Sequence, residues 1–231
     1  MMRKLDLAQP VTSRPRVLVV RTAVQAAATG ALVALAVSLP TAGAVAQVQM
    51  PTLPQPVAVT VDAKTTAYLV LDLTSVICAP LPACRATLPA AAALLTKARN
   101  AGALVVYSQT PTPGSMVLPE VAPRPGEPTV ATRADKFFGT VLDDTLKSKG
   151  IKTVVIVGSA ANGAVLYTAF GANERGYTVV VAVDGISAAD PFAVFATQYQ
   201  LLHQPGFDNR DNKPLVDDRV TLSRTDLITF H

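Results

Sequence analysis

Residues 153–168, with the sequence TVVIVGSAANGAVLYT, constrain the fold of this chain more than any other segment. The unbroken apolar run VVIV predicts a strand that is buried on both faces. Gly158 and Gly163 permit a close turn of the backbone, and a helical apolar stripe begins at Val165. A strand that passes through a tight turn into a helix is typical of open α/β sheets, which place their functional sites at such turns.

Strand and helix patterns alternate along most of the chain. Strands are predicted at 67–72, 104–107, 154–157, 178–183 and 219–222, and helices at 88–101, 140–149, 163–175 and 192–203. Apolar strands between helices indicate a parallel sheet covered on both faces, and right-handed crossovers then predict a three-layer α/β/α sandwich with a mostly parallel, doubly wound sheet. The carboxyl ends of such strands share one edge, so Asp72, the 158–164 turn and Asp184 are expected to face one crevice.

The segment 109–128 interrupts this alternation. It contains six prolines and two glycines, which predict an irregular surface loop able to overhang a pocket. We expect this loop to influence substrate specificity.

The first 46 residues have the pattern of a secretory signal. Five basic residues precede an uncharged run at 22–39, and Ala44-Val45-Ala46 has the A-x-A form of a signal-peptidase site. We expect export to the periplasm or the medium, with no membrane association after cleavage; an uncleaved membrane anchor is the alternative. The predicted divisions are a signal peptide at 1–46, an extended proline-containing leader at 47–64 and the α/β domain at 65–231.

The charge of the chain does not indicate a nucleic-acid partner. The whole chain has 20 Lys and Arg against 16 Asp and Glu, but the predicted signal holds five of the basic residues and one of the acidic ones. Fifteen residues of each sign remain in the mature chain. The basic excess therefore belongs to the signal, and a small molecule is the expected partner.

The two cysteines, Cys78 and Cys84, lie close together in a proline-containing loop. In an oxidising compartment this spacing predicts a disulfide, with free thiols as the alternative. A zinc site is the least favoured interpretation, because the chain has only two histidines, His203 and His231. We predict neither a metal nor another cofactor.

Residues 67–227 resemble the isochorismatase-like cysteine hydrolases. Four pieces occur in the order typical of that family: GIKTVVIVG, GAVLYTA, ERGYTVVVAVDGISA and the later His203. The resemblance implies the α/β/α fold, hydrolysis of a small molecule and a possible homo-oligomer. Members of the family usually carry the nucleophilic cysteine at the position of Ala164, so this chain resembles a divergent member that lacks it.

The resemblance implies catalytic roles for Asp72 and Lys136. YLVLDLT fits the family's opening strand, which ends in an aspartate that serves the site, although Leu73-Thr74-Ser75 departs from the usual polar residues. A capping or turn role is the alternative for Asp72. Lys136 lies closer to the following phenylalanine than the family's lysine does, and Ala131 occupies the expected position. A solvated lysine at the start of a helix is the alternative there.

Four residues are predicted to contact substrate. Arg133 is a second cation near Lys136, and Ser159 and Asn162 are the polar side chains of the turn that contains Gly163. The helix that begins there presents free N–H groups and the positive end of its dipole, which suit an anion or an oxyanion. Ser159 as a nucleophile lacks an obvious base.

Three functions stay open at this point. An exported hydrolase would use Asp72 either as a general acid on a vinyl ether or as a general base that activates water against an amide. An ion pair between Asp72 and Lys136 would weaken the first mechanism and support the second, because a nearby cation keeps the carboxylate ionised. The third interpretation is a non-catalytic pseudoenzyme that binds a small molecule in the same fold.

Overall fold

A computed structural model describes residues 49–231. The predicted signal peptide at 1–46 lies outside these residues, and the predicted leader is described from Gln49 onward. In the part of the chain that the structure describes, no helix combines the length and the apolar character needed to cross a membrane.

The strands form a six-stranded parallel sheet and a separate parallel pair. The order in the large sheet is β4-β3-β2-β5-β6-β7, and β1 pairs with β8. The strands are β1 (Val59–Val61), β2 (Thr66–Leu71), β3 (Leu104–Gln109), β4 (Thr129–Ala131), β5 (Thr153–Ser159), β6 (Thr178–Ser187), β7 (Val220–Ser223) and β8 (Ile228–Phe230). The order reverses between β2 and β5, which puts a topological switch point where their carboxyl ends meet.

Helices cover both faces of the sheet. They are α1 (Pro82–Arg85), α2 (Leu88–Ala101), α3 (Leu142–Ser148), α4 (Leu166–Asn173) and α5 (Pro191–Leu202). Leu69 and Leu71 of β2 pack into the core shared with α3, α4 and α5, whereas Tyr68 and Val70 pack into the core shared with α2. Each large apolar side chain buried in this way contributes about 1.5–3 kcal/mol. The sheet and its two helical layers confirm the predicted α/β fold.

The strands that sequence did not predict are short. β1, β4 and β8 have three residues each, too few for a recognisable apolar run, and they are defined by their pairing partners. β6 extends beyond its predicted end because its register with β5 shifts between Ile156 and Gly158. Gly185 makes this shift possible, since a Cβ there would lie 2.5 Å from Val157 Cγ1.

The loops above the carboxyl ends of the strands are tied to each other. Cys78 and Cys84 form a disulfide that closes the loop containing α1. In the predicted 109–128 loop, Pro119–Val121 forms a 3₁₀ turn. Ser75 joins the two loops, since its Oγ donates to Gly114 O (2.9 Å) and accepts from the N–H of Met116 (3.1 Å).

Candidate active site

Asp72 follows β2 at the switch point of the sheet. Its backbone is left-handed, with φ of 52°, a conformation that non-glycine residues adopt mainly at turns and functional sites. Its N–H donates to the backbone and side-chain oxygens of Ser108 on β3, both at 3.2 Å. On the other side β5 approaches closely, because a Cβ on Gly158 would lie 2.2 Å from Leu71 O. Asp72 therefore leaves the sheet beside the turn that follows β5.

Lys136 reaches Asp72 from the loop before α3. Its side chain has 0% exposure, and Nζ donates to Asp72 Oδ2 at 2.8 Å. The ammonium also donates to Thr132 O (3.1 Å) and to Arg133 O. These three acceptors match its three N–H bonds. The burial excludes the alternative of a solvated lysine at a helix start, and the loop brings Lys136 to the aspartate although Ala131 occupies the position expected for the lysine.

The Asp72 carboxyl is held on both oxygens. Oδ2 accepts from Lys136, and Oδ1 accepts from the hydroxyl of Ser108 at 2.7 Å. Burial raises the pKa of Asp72, whereas the charge of Lys136 and the two hydrogen bonds lower it; burial is the larger effect, so the pKa lies above its ordinary value. Two donors aimed at two oxygens suit an ionised carboxylate of increased basicity.

The turn after β5 includes a cis peptide between Ser159 and Ala160 and a π-helical turn, Ala161–Val165, that leads into α4. Ala164 is buried within this turn. The N–H groups of Gly163 and Val165 donate to Ala160 O. Within residues 49–231 no backbone acceptor pairs with the N–H groups of Ala160 and Asn162. The turn thus has free donors for an anionic oxygen.

A hydrogen bond connects the lysine segment to the helix after the turn. The N–H of Lys136 donates to Thr168 Oγ1 at 3.1 Å, and Thr168 lies one helical turn after Ala164. This contact brings Asp72, Lys136 and the turn into one site. Neither Ser108 nor Thr168 was among the predicted site residues. Ser108 could have been identified from its position near the end of β3, because parallel pairing puts it directly beside the end of β2.

The four predicted substrate contacts have different surroundings. Ser159 is buried, and its hydroxyl donates to Ser187 O at 3.4 Å. Asn162 is exposed and lines a groove of about 440 Å³ between α4 and α5, while Gly163 is half-buried in the turn. The side chain of Arg133 is exposed, and only its carbonyl oxygen contacts Lys136.

The expectation that Asp184 faces the same crevice as Asp72 is wrong. Both oxygens of Asp184 are engaged by Thr225, which donates its N–H and its hydroxyl at 2.8 Å each. The cause is the extension of β6 to Ser187, which leaves Asp184 three residues before the end of the strand. The carboxylate therefore connects β6 to the segment before β8.

No three His, Cys, Asp or Glu side chains gather as possible metal ligands in the described part of the chain. His203 contacts the carbonyl of Tyr199 through Nδ1 at 2.8 Å. The side-chain groups that contact the Asp72 carboxylate are the Lys136 ammonium and the Ser108 hydroxyl, and both are donors.

Comparison with known proteins places these features in one family. Residues 66–204 match the family described as Isochorismatase domain. The chain is 31% identical over 125 residues to the secreted isochorismatase effector Isc1 of Verticillium dahliae, covering 49% of this chain and 66% of that protein. It is 33% identical over 90 residues to ureidoacrylate amidohydrolase RutB of Methylorubrum extorquens, covering 39% of this chain and 32% of that protein.

A solved structure shares the architecture. An isochorismatase family protein from Desulfovibrio vulgaris aligns with a TM-score of 0.61 and 21% identity, covering 70% of this chain and 95% of that one. The chain spans less than two thirds of the length of the curated relatives it matches. The family match includes β2 through α5, with Asp72, Lys136 and the Ala164 turn, and more than half of the sequence. This protein therefore belongs to the isochorismatase family of hydrolases.

Proposed function

We propose that this protein is an exported hydrolase that cleaves an amide or carbamoyl C–N bond in a small molecule, with water as the nucleophile. The observation that carries the proposal is the buried contact of 2.8 Å between Lys136 Nζ and Asp72 Oδ2. This pair lies beside the turn where related hydrolases are expected to hold a cysteine and this chain holds Ala164. The proposal requires no cofactor.

Asp72 is the general base in this proposal. Lys136 and Ser108 favour the ionised carboxylate, and burial raises its pKa above the ordinary value. A carboxylate of higher pKa accepts a proton from water more readily. The side chain keeps 5% exposure, so one edge of it borders solvent.

The reaction balances with one water molecule. Asp72 accepts a proton from water as the new C–O bond forms at the substrate carbonyl. The negative charge that develops on the carbonyl oxygen is stabilised by the N–H groups of the turn, including those of Ala160 and Asn162. The C–N bond then breaks, and the leaving nitrogen takes the proton from Asp72. Arg133, Ser159 and Gly163 remain the other proposed substrate contacts.

Hydrolysis of a vinyl ether fits this geometry less well. That reaction needs Asp72 to donate a proton to carbon, but both of its oxygens already accept hydrogen bonds. A protonated carboxyl would lose part of its interaction with the Lys136 ammonium. The ion pair therefore favours Asp72 as a general base over Asp72 as a general acid.

A second candidate function is binding without catalysis. Ala164 supports it, because an alanine has no nucleophilic atom and the two cysteines of the chain are joined to each other. Under this alternative the ion pair and the turn hold a small amide or anion and release it unchanged.

Export and self-association complete the proposal. Export is supported by the disulfide, which is typical of oxidising compartments, and by the similarity to a secreted effector. A homo-oligomer is supported by exposed apolar side chains, since large apolar surfaces are usually covered by a partner. The most exposed of them in the described part of the chain are Phe138 (77%), Met116 (67%), Val141 (63%), Met50 (57%), Phe192 (57%) and Tyr167 (54%).

A substrate screen tests the choice among these functions. The purified protein is incubated with simple amides, ureido compounds and vinyl ethers, and the products are followed by mass spectrometry, with thermal shift as a parallel measure of binding. We expect release of ammonia or an amine from an amide or ureido compound. A thermal shift without product would support binding alone, and turnover confined to vinyl ethers would contradict the proposed base.

The Ala164→Cys variant tests the turn itself. We expect rapid alkylation of the new thiol by iodoacetamide, with a thiol pKa below about 8.5, because the free N–H groups and the start of α4 stabilise the thiolate. The rate is measured against pH by intact-protein mass spectrometry. Ala169→Cys, at a buried position inside α4 and away from the turn, is the control and should react slowly. Equal, slow reaction of both thiols would mean that the turn does not stabilise negative charge.

A further inference from the structure

The conformation of Asp72 requires support from its surroundings. A left-handed backbone at an aspartate is costly, and it persists only where neighbouring contacts fix it. Ser108 fixes the N–H of Asp72 from β3. The carbonyl of Asp72 is fixed by Thr74, whose N–H donates to it at 2.8 Å.

Thr74 is in turn held by the loop that the disulfide closes. Its carbonyl accepts the N–H groups of Cys78 (2.8 Å) and Ala79 (3.1 Å), and its hydroxyl accepts that of Ile77 (3.4 Å). Thr74 has 0% exposure. The backbone hydrogen bonds thus run without interruption from Asp72 through Thr74 to Cys78.

The disulfide fixes the far end of this connection. Both cysteines have 0% exposure, and Cys84 belongs to α1, whose following turn is held by the hydroxyl of Thr87 on Cys84 O at 2.8 Å. Without the S–S bond, Cys78 would keep its packing in the core beside α2 and the hydrogen bonds of its loop, but no covalent connection to α1. The bond therefore limits the motion of the segment that carries the carbonyl partner of Asp72.

We propose that the Cys78–Cys84 disulfide is a positioning device for Asp72, holding the carboxylate in place against Lys136 and Ser108 through Thr74. The relevance to catalysis rests on the proposed function of Asp72, but the structural effect does not. An effect on Asp72 is therefore measurable whether or not a substrate is known.

The test compares the Cys78→Ala/Cys84→Ala variant with the unmodified protein by NMR. We expect amide exchange at Thr74 to be at least about tenfold faster in the variant. Without the disulfide, the segment around Thr74 can open locally while the rest of the domain stays folded. We also expect the ¹³C titration of the Asp72 carboxyl to shift. With an amide substrate, kcat should fall by about tenfold or more, since small displacements of a catalytic group are costly.

The control separates positioning from general loss of stability. Val220→Ala removes buried side-chain volume from β7, two strands away from β5, and should lower the melting temperature without changing exchange at Thr74 or the Asp72 titration. If the double alanine variant does not fold, the Cys78→Val/Cys84→Ala variant is used in its place, because valine restores much of the lost apolar volume. Unchanged exchange at Thr74 and an unchanged Asp72 titration without the disulfide would overturn the inference. Changes in both with no effect on turnover would leave the positioning intact and count against the catalytic role.

Discussion

The Asp72→Asn variant is expected to lose about 10²- to 10⁴-fold in kcat/KM for an amide substrate, the range typical of a missing general base. Asparagine keeps the shape of the side chain and tolerates the left-handed backbone, but it cannot take a proton from water. The rates are measured by product release under conditions where each variant is folded. The loss should appear in kcat, because the proton transfer occurs in the transition state.

Two comparisons make this result specific. Asp226→Asn removes an exposed carboxylate, paired at the surface with Arg224, and should leave the rate unchanged. Ser108→Ala keeps the base and removes the hydroxyl that donates to Oδ1 and accepts the Asp72 N–H, so a smaller loss is expected. Full activity in Asp72→Asn would show that another group activates the nucleophile.

The Lys136→Met variant is expected to be destabilised by about 3–5 kcal/mol at neutral pH, because removal of one partner of a buried ion pair leaves the other charge uncompensated. Methionine retains most of the length of the side chain, so the loss reflects charge more than volume. The free energy of unfolding is measured by urea denaturation. Lys147→Met, which breaks an exposed pair with Asp143, is the matched control and should cost less than about 1 kcal/mol.

The destabilisation should depend on pH in a defined direction. Burial raises the pKa of Asp72, and loss of the Lys136 charge raises it further. A carboxyl whose folded-state pKa exceeds its unfolded value, about 3.9, binds more protons in the native state between those two pH values, so stability falls as pH rises through that range. The free energy of unfolding of Lys136→Met should therefore be closest to that of the unmodified protein at acidic pH. If the difference in stability between the two proteins became smaller toward neutral pH, the ion pair would not stabilise the fold as proposed.

A double variant completes this prediction. Asp72→Asn/Lys136→Met removes both charges, and we expect it to recover most of the stability that Lys136→Met loses, because no uncompensated charge remains. Additive losses in the double variant would mean that the two side chains do not interact in solution.

The sheet was predictable from sequence because its central strands are apolar on both faces. β2, β5 and β6 are long, continuous runs, and their order along the chain with helices between them requires a parallel sheet. α2 has the predicted bounds, Leu88–Ala101, since a glycine in the left-handed conformation ends it. The short strands β1, β4 and β8 depend on pairing between distant segments, which a local pattern does not contain.

The site was predictable only in part. Asp72 and the Ala164 turn follow from the rule that strand ends meet at one edge. The contact with Lys136 depends on the path of the loop around residues 132–136, where two backbone carbonyls receive the ammonium. The family resemblance implied a lysine at the position of Ala131, and it did not specify that path. Asp184 was misplaced for a similar reason, because the register shift before Gly158 extends β6 past it.

The role of Asp72 as the general base is tested by comparing the pH dependence of kcat/KM with the Asp72 titration, measured by ¹³C NMR on the free protein. kcat/KM reports ionisations of the free enzyme, so a catalytic base should give an acidic limb with the same pKa as its carboxyl. We expect this limb to coincide with the Asp72 titration and to lie above the ordinary carboxyl pKa. A rate that stays constant while Asp72 becomes protonated would contradict it.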